Sequence, residues 1–316
     1  MLASALRPLL LTRKHSQHPE LQAHLAKYRS TVRKFDPAAW VELKCTMFNE
    51  YMRSCGLKAC VISLSGGVDS AVTCALMKHA ASMPGSPIKK VLGVAQPIHS
   101  SGWALGRANE CGKALGVEVV SVDQTALHDQ LRGLIDEKVG IKGEPFATGQ
   151  LRSYQRTPVG YYVAQLLSQS GMPCVVMGTG NQDEDGYLAY FCKAGDGVVD
   201  VQLIADLHKS EVFRVGHLLG VPRSILVAAP SADLWDGQTD EDELGFTYDF
   251  IELFTGIYLA MGPTAQIKFR DSLGADAKKQ FDEWAAVCEG VHRRNAHKLD
   301  SPKNLDIDVR TMAAKL

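Results

Sequence analysis

The fold of this chain is decided by the stretch Ser63-Leu64-Ser65-Gly66-Gly67-Val68-Asp69-Ser70. It follows the apolar run Cys60-Val61-Ile62, which predicts a buried β-strand, and it leads into a segment with helical periodicity. A strand that ends in two glycines and then opens a helix brings several backbone N–H groups together at the helix N-terminus. The stretch therefore predicts an anion site, and we interpret the anion as a nucleotide phosphate.

Similar apolar runs recur along the chain, at 60–64, 91–95, 117–122 and 175–177. The stretches between them include segments with helical periodicity, at 71–81, 104–115 and 161–167. Short buried strands that alternate with helices indicate βαβ crossovers, so we predict the α/β class, with a doubly wound parallel sheet and helices on both faces. Ligands of such sheets bind beyond the carboxyl ends of the strands, so the Gly-Gly loop and Gly178-Thr179 are expected to open onto one crevice.

The loop differs from the common nucleotide triphosphatase loop, because it lacks the closing Lys-Ser/Thr pair and has Asp69 where the helix begins. It resembles the pyrophosphate loop of the ATP pyrophosphatases, which have the adenine-nucleotide alpha-hydrolase-like fold and split ATP into AMP and pyrophosphate. The resemblance implies that Asp69 binds Mg²⁺. It also implies ATP contacts from Ser63, Ser65, Gly66, Gly67, Val68 and Ser70. The alternative is a glycine-rich turn in which Asp69 and Ser70 only cap the helix.

Composition excludes several classes of protein. With 46% hydrophobic and 22% charged residues, a chain of 316 residues is typical of a globular protein with a full core. The net charge of -1 gives no basic field for long nucleic acids, and no apolar run reaches membrane-spanning length. The eight cysteines form no Cys-x-x-Cys pair and no zinc pattern, which indicates reduced thiols and a cytoplasmic protein.

The N-terminal region is predicted to be a helical arm over residues 1–39, followed by a single domain over residues 40–316. Residues 1–19 contain Arg7, Arg13 and Lys14, and the first acidic residue is Glu20. An amphipathic organelle-targeting segment is the alternative for residues 1–19.

A second informative segment is the acidic stretch from Pro230 to Gly245, which contains Ser231-Ala-Asp-Leu-Trp-Asp-Gly-Gln-Thr-Asp-Glu. Together with the Gly-Gly loop it resembles the NAD synthetase family, whose ammonia-dependent members adenylate the nicotinate carboxyl of deamido-NAD and then let ammonia displace AMP. The resemblance implies an ATP contact from Ser231. Without the resemblance, the segment is a solvated loop that caps a helix at Thr239 or Asp240.

The resemblance also implies the catalytic residues. Gly178-Thr179-Gly180-Asn181-Gln182-Asp183-Glu184 is similar to the family's strand end and metal-binding glutamate, which places ATP beside Thr179 and Mg²⁺ on Glu184. Magnesium held by Asp69 alone would be loosely placed on a departing pyrophosphate, so the two carboxylates are expected to share one ion. Lys209 matches a phosphate-contacting lysine that binds ATP. The predicted catalytic set is therefore Asp69, Glu184 and Lys209.

Further matches concern the nucleotides. Lys193-Ala194-Gly195-Asp196-Gly197, followed by Asp200, is similar to the family's loop around the pyridine nucleotide, except that Ala194 replaces the usual Tyr. Tyr190 and Phe191 are predicted to provide an aromatic face for the substrate, the alternative being that they belong to the core. Arg156 is predicted to bind ATP.

The C-terminal end carries a further match. His297 and Lys298 resemble a tail that closes over the bound nucleotides, although Leu299 replaces an Arg. The alternative for this tail is a plain basic helix end, which the helix dipole favours.

We therefore predict an ATP-dependent ligase that forms NAD through an acyl adenylate, with free ammonia as the nitrogen donor. The roughly 40 residues before the matched segments are expected to be too few for a glutaminase domain. The partners are small molecules, neither nucleic acid nor membrane is expected, and the resemblance implies a homodimer. The alternatives are a GMP synthetase-like adenylating enzyme and a catalytically silent nucleotide-binding paralogue.

Overall fold

A computed structural model of the chain describes residues 15–231 and 239–305. Its centre is a five-stranded sheet with the order β3-β2-β1-β4-β5, in which every neighbouring pair is parallel. The strands are β1 (Ala59–Ser63), β2 (Lys90–Ala95), β3 (Glu118–Ser121), β4 (Cys174–Gly178) and β5 (Val201–Gln202). The predicted parallel α/β sheet is confirmed, and the short edge strand β5 is an element that the apolar pattern did not indicate.

The helices surround this sheet. They are α1 (Pro19–Tyr28), α2 (Pro37–Ser54), α3 (Val68–Ser82), α4 (Gly102–Leu115), α5 (Thr125–Val139), α6 (Pro145–Gln169), α7 (Lys209–Leu218), α8 (Arg223–Leu226), α9 (Asp240–Leu244), α10 (Tyr248–Leu253), α11 (Pro263–Ser272) and α12 (Ala275–Asn295). Three π-helical turns, at Arg29–Arg33, Gln182–Leu188 and Phe254–Tyr258, and a 3₁₀ turn at Ala296–Lys298 complete the described elements.

Strand β1 shows why the sheet is covered on both faces. Cys60 and Ile62 point into a core shared with α2, α3 and α7, whereas Val61 belongs to a second core that includes Ala164 of α6. Successive side chains of a strand point to opposite faces, so a continuous apolar run requires helices on both sides. The phosphate loop therefore lies between two packed layers.

A third core joins α1 to the C-terminal helices. Leu21 and Leu25 of α1 pack with Phe250, Phe254 and Phe281 of the C-terminal helices. The predicted boundary between residues 39 and 40 falls inside α2. Asp36 caps the first turn of this helix, because its side chain accepts the N–H groups of Ala38 and Ala39. The N-terminal arm is thus helical in its described part and packs against the rest of the molecule.

Two predictions reach beyond the described residues. Most of the proposed targeting segment 1–19 lies outside them, as does the middle of the acidic stretch, residues 232–238. Where the chain is described, none of its helices combines the length and the apolar character needed to cross a membrane.

Candidate active site

The two predicted metal carboxylates lie together beyond the carboxyl ends of β1 and β4. Asp69 is in the first turn of α3, and Glu184 is in the π-helical turn that follows β4. Asn181 joins them, since its side-chain oxygen accepts the N–H group of Glu184 at 3.1 Å and its Nδ2 donates to Asp69 Oδ1 at 3.0 Å. Because β1 and β4 are parallel neighbours, the residues that follow the two strands lie at one edge of the sheet, as expected.

Lys209, the first residue of α7, is the counter-ion of this pair. Its Nζ donates to Asp69 Oδ2 at 2.6 Å and to Glu184 Oε1 at 2.7 Å, and the side chain is almost fully buried. Burial alone disfavours the ammonium, but the charges of Asp69, Glu184 and Asp240 outweigh it and raise the pKa of Lys209 above its ordinary value. Lys209 is therefore a permanent cation in the site.

Two further residues, Asp240 and Tyr248, complete the polar cluster. The Tyr248 hydroxyl contacts Glu184 Oε1 and lies 3.0 Å from Asp240 Oδ2. Both carboxylates accept from the one hydroxyl, so its hydrogen atom is shared between Glu184 and Asp240. Sequence reasoning missed Tyr248, because a buried aromatic residue is usually part of a core. The N-cap pattern Asn-Gln-Asp-Glu could have indicated Asn181.

The site carries more negative than positive charge. Burial, followed by the charge of Glu184, raises the pKa of Asp185 to about 8 and that of Asp240 to about 7. Asp185 Oδ2 accepts a hydrogen bond from Gln202 Nε2 at 3.2 Å, which holds it beside the strand ends. Protons or an additional cation are needed to neutralise this cluster.

This charge predicts a pH-dependent stability. In the unfolded chain an Asp titrates near pH 4, so between about pH 4 and 8 the folded protein binds more protons than the unfolded one. The free energy of unfolding in the absence of divalent cations should therefore fall as the pH rises through this window, by at least about 1 kcal/mol, and become level above it. Urea unfolding at several pH values measures the effect.

The matched variant for this measurement is Asp185→Asn, which removes the titrating group and keeps an oxygen for Gln202. It should flatten the pH dependence and raise the stability near pH 8. An unchanged slope in this variant would show that Asp185 is not the titrating group.

The loop between β1 and α3 is held by a close backbone approach and by its own serine side chains. Gly66 has φ +83°, and a Cβ there would lie 2.4 Å from the carbonyl oxygen of Ala104. The hydroxyl of Ser65 accepts the Gly67 N–H at 3.2 Å and lies 3.1 Å from the hydroxyl of Ser70. The two serines that we predicted as phosphate donors therefore shape the loop before any ligand binds.

The two glycines predict different mutational effects. Gly66→Ala should destabilise the fold by about 2 kcal/mol or more, because it combines a left-handed backbone with a backbone clash. Gly67 has no positive φ and only Ser65 Oγ nearby, at 3.3 Å, so Gly67→Val should fold and lose affinity for ATP. Thermal unfolding and ATP titration separate the effects, and normal ATP affinity in Gly67→Val would contradict the loop assignment.

A polar cluster continues from the loop toward β2. The Ser63 hydroxyl accepts a hydrogen bond from Gln96 Nε2 at 2.7 Å, and Arg156 Nε donates to the Gln96 carbonyl at 3.3 Å. The structure thus brings the predicted ATP ligands Ser63 and Arg156 to one edge of the sheet. Thr179 directly follows β4, and Ser231 precedes residues 232–238.

Hydrogen bonds between lysine side chains and backbone carbonyls join the predicted substrate loop to the C-terminal tail. Lys193 Nζ donates to the carbonyls of His297 and Asp300, at 3.1 and 2.6 Å, and Lys298 Nζ donates to those of Ala189 and Phe191, at 3.2 and 2.8 Å. Each segment therefore contributes a lysine that binds backbone oxygens of the other. The imidazole of His297 is exposed.

The remaining residues of this loop lie in different surroundings. Asp196 is held by Ser153 and by the Cys192 N–H, each at 3.4 Å, whereas Tyr190 packs against the C-terminal core. Asp200 accepts hydrogen bonds from the Tyr161 hydroxyl at 3.0 Å and the Val176 N–H at 2.8 Å, so it fastens the middle of β4 to its neighbours. Its contact with the substrate stays a prediction.

Comparison with known proteins agrees with these motifs. The family model NAD synthase matches residues 40–302. An NH(3)-dependent NAD(+) synthetase of Methanococcoides burtonii is 37% identical over 80% of this chain and 89% of its own length, and that of Alkaliphilus oremlandii is 34% identical over 80% and 91%.

Solved structures agree as well. The NMN synthetase of Francisella tularensis has a TM-score of 0.70 and 25% identity over 86% of this chain and 100% of its own. An NH3-dependent NAD synthetase of Campylobacter jejuni shares the fold, with a TM-score of 0.64 and 20% identity over the same shares. The predicted resemblance is confirmed: the chain belongs to the NAD synthase family.

Proposed function

We propose that this chain is a ligase that converts deamido-NAD into NAD at the crevice between β1 and β4, with ammonia as nitrogen donor and with ATP cleaved to AMP and pyrophosphate. The observation that carries the proposal is the meeting of Asp69, Glu184 and Lys209 beside the Gly-Gly loop. The names of the curated relatives support an ammonia-dependent ligase. The site combines an anion-binding loop, a buried cation and carboxylates, which adenylation requires.

In the first half-reaction, an oxygen of the nicotinate carboxylate attacks the α-phosphorus of ATP and pyrophosphate departs. Lys209 and the N–H groups of the loop are fixed donors that stabilise the negative charge on the leaving group. Since this charge grows as the bond to the α-phosphorus breaks, the same contacts stabilise the transition state more than the ground state. The roles of these residues are proposals that agree with their positions.

Mg²⁺ fits the donor set as a further component. The described residues include no group of three or more His, Cys, Asp or Glu side chains arranged around one point. Magnesium that also binds phosphates needs only one or two carboxylates, which Asp69 and Glu184 would supply. When bound, the ion would neutralise phosphate charge. The negative charges of Glu184, Asp196 and Asp69, which add to burial in raising the pKa of Asp185, would attract it.

In the second half-reaction, ammonia attacks the carbonyl carbon of the acyl adenylate, AMP leaves with the bridging oxygen, and one proton is released. The protein orients the nucleophile and excludes water, which would hydrolyse the adenylate. The acidic residues around Lys209 would attract ammonium, which yields the attacking ammonia when it loses a proton.

The remaining predicted ligands stay proposals. We assign ATP contacts to Ser63, Ser65, Ser70, Arg156, Thr179 and Ser231, with backbone contacts from Gly66, Gly67 and Val68. We assign substrate contacts to Tyr190, Phe191, Lys193, Asp196, Asp200, His297 and Lys298. Lys193 and Lys298 would exchange their present carbonyl partners for oxygens of the nucleotide.

A second substrate is favoured by one observation. The solved structure with a TM-score of 0.70 and 25% identity is titled an NMN synthetase, so nicotinate mononucleotide is a candidate acid for the same reaction.

The test measures pyrophosphate release with ATP and Mg²⁺, with either deamido-NAD or nicotinate mononucleotide, and with either ammonium or glutamine. We expect the highest kcat/KM for deamido-NAD with ammonium. A preference for the mononucleotide would replace the proposed substrate, and no release with either acid would overturn the ligase assignment.

We also propose a homodimer that pairs through α5 and α6. These two helices expose large apolar side chains, namely Leu127, Leu134, Ile135, Val139, Phe146, Tyr154, Tyr162 and Leu166. Apolar surface of this extent marks an interaction site. Light scattering should give twice the chain mass for the wild type and the single mass for Leu134→Glu/Tyr162→Glu.

All eight cysteines are free thiols, which supports the proposed cytoplasmic location.

A further inference from the structure

Three carboxylates bind the first turn of α7, which carries Lys209. Asp183 and Glu252 lie in other parts of the chain, whereas Glu211 belongs to α7 itself. Asp183 Oδ2 accepts the Lys209 N–H at 2.7 Å, and Glu211 Oε2 accepts the His208 N–H at 3.0 Å. Glu252 Oε2 accepts the Ser210 hydroxyl at 2.8 Å. Every residue at the start of this helix is therefore tied to a carboxylate, which aims the Lys209 side chain at Asp69 and Glu184.

Two of these carboxylates are neutralised by the N-terminal arm. Arg33 binds Glu211 with two hydrogen bonds, at 2.7 and 2.8 Å, and Arg29 donates to Glu252 Oε1 at 2.9 Å. Glu211 and Glu252 are only 2% and 1% exposed, so the guanidinium groups are their counter-charges in the folded chain. Removing one partner of a buried pair leaves an uncompensated charge, which the protein relieves by protonation or by local rearrangement.

Arg33 also binds the segment that leads into α7. Its Nη2 donates to the carbonyl of Asp206 at 2.8 Å, three residues before Lys209. Both arginines precede residue 40, where the match to the family model begins. The pairs therefore connect a part of the chain outside the matched domain to the turn that holds the catalytic lysine.

We propose that Arg33, together with Arg29, is a positioning residue that keeps Lys209 in its catalytic orientation. The proposal rests on the proposed reaction, in which Lys209 stabilises the leaving pyrophosphate. Arg33 does not touch the reacting groups; it neutralises Glu211, Glu211 binds the His208 N–H, and His208 fixes the backbone that begins α7. A displacement of about 1 Å at a catalytic group can cost 10²-fold in rate.

The test compares Arg33→Ala with Arg214→Ala. Arg214 joins the same two parts of the molecule, because its Nη2 donates to the Phe35 carbonyl at 2.9 Å and its guanidinium lies 5.2 Å from the Phe35 ring. It lies beyond the first turn of α7, however, so it serves as the matched control. Rates are measured per folded protein, at a temperature where circular dichroism shows the native spectrum.

We expect Arg33→Ala to lower kcat at least 10-fold while KM for ATP changes less than about 3-fold, and Arg214→Ala to keep kcat within about 2-fold. Arg33→Ala/Glu211→Gln should recover much of the lost kcat, because Gln removes the buried charge and still accepts the His208 N–H. A role in stability alone would lower the unfolding temperature without this pattern in kcat.

Two further measurements keep the outcome decisive. If Arg33→Ala does not fold, Arg33→Lys replaces it, with an expected intermediate kcat because one ammonium cannot make both hydrogen bonds. Wild-type kcat in the folded Arg33 variant would overturn the positioning role. An inactive wild-type enzyme would instead refute the proposed reaction, so the two failures are distinguishable.

Discussion

Lys209→Ala is expected to lower kcat by about 10³-fold, the upper end of the effect of removing one donor that stabilises a developing anion. The reason is that Lys209 is a buried, permanently charged group paired with Asp69 and Glu184, and in the proposed reaction it lies beside the leaving pyrophosphate. The affinity for ATP should change much less, because the loop N–H groups remain. Single-turnover pyrophosphate release measures the chemical step directly.

The same substitution should also make stability depend on magnesium. Without the ammonium, Asp69 and Glu184 are buried and uncompensated, which should destabilise the protein by about 3–5 kcal/mol in a chelator. Mg²⁺ bound between them should restore part of this stability, since a ligand of the folded state stabilises it. Lys278→Ala is the control, because it removes an exposed pair with Asp271. A Lys209→Ala enzyme with more than a tenth of the wild-type kcat would remove Lys209 from the catalytic set.

Asp69→Asn is expected to lower kcat by about 10²–10³-fold and to raise the magnesium concentration needed for half-maximal rate. The fold should persist, because Asn is of the same size and its oxygen can keep one of the two contacts with Asn181 and Lys209. The measurement is kcat as a function of Mg²⁺ concentration, with Asp271→Asn as a surface control.

Glu184→Gln should likewise lower kcat and raise the magnesium concentration needed for half-maximal rate. If both carboxylates bind one ion, the double variant should be little worse than either single variant, because residues that act as one unit are not additive. Additive losses, or a wild-type magnesium dependence in Asp69→Asn, would contradict a shared ion.

The site residues that could be predicted from the sequence are those next to a strand end. Asp69 and Glu184 each follow an apolar run within a few residues, and parallel strands bring such residues to one edge of the sheet. The surroundings of Asp200 could not be predicted in this way: it precedes the two-residue strand β5 and lies beside the middle of β4. A strand of two residues leaves no apolar pattern from which its position could be inferred.

The sequence by itself determined the class of the fold, because the fold class depends on local periodicity, and the glycines at a strand end indicated the loop. The resemblance to a known family indicated the two carboxylates. Only the tertiary structure decided what surrounds Lys209: Tyr248 and Asp240 on one side, and the support from Arg33 on the other. Arg33 and Glu211 are 178 positions apart in the chain, and an arginine in an amphipathic arm has the same local pattern whether it faces water or a buried carboxylate. Its role depends on which charge the folded chain buries against it.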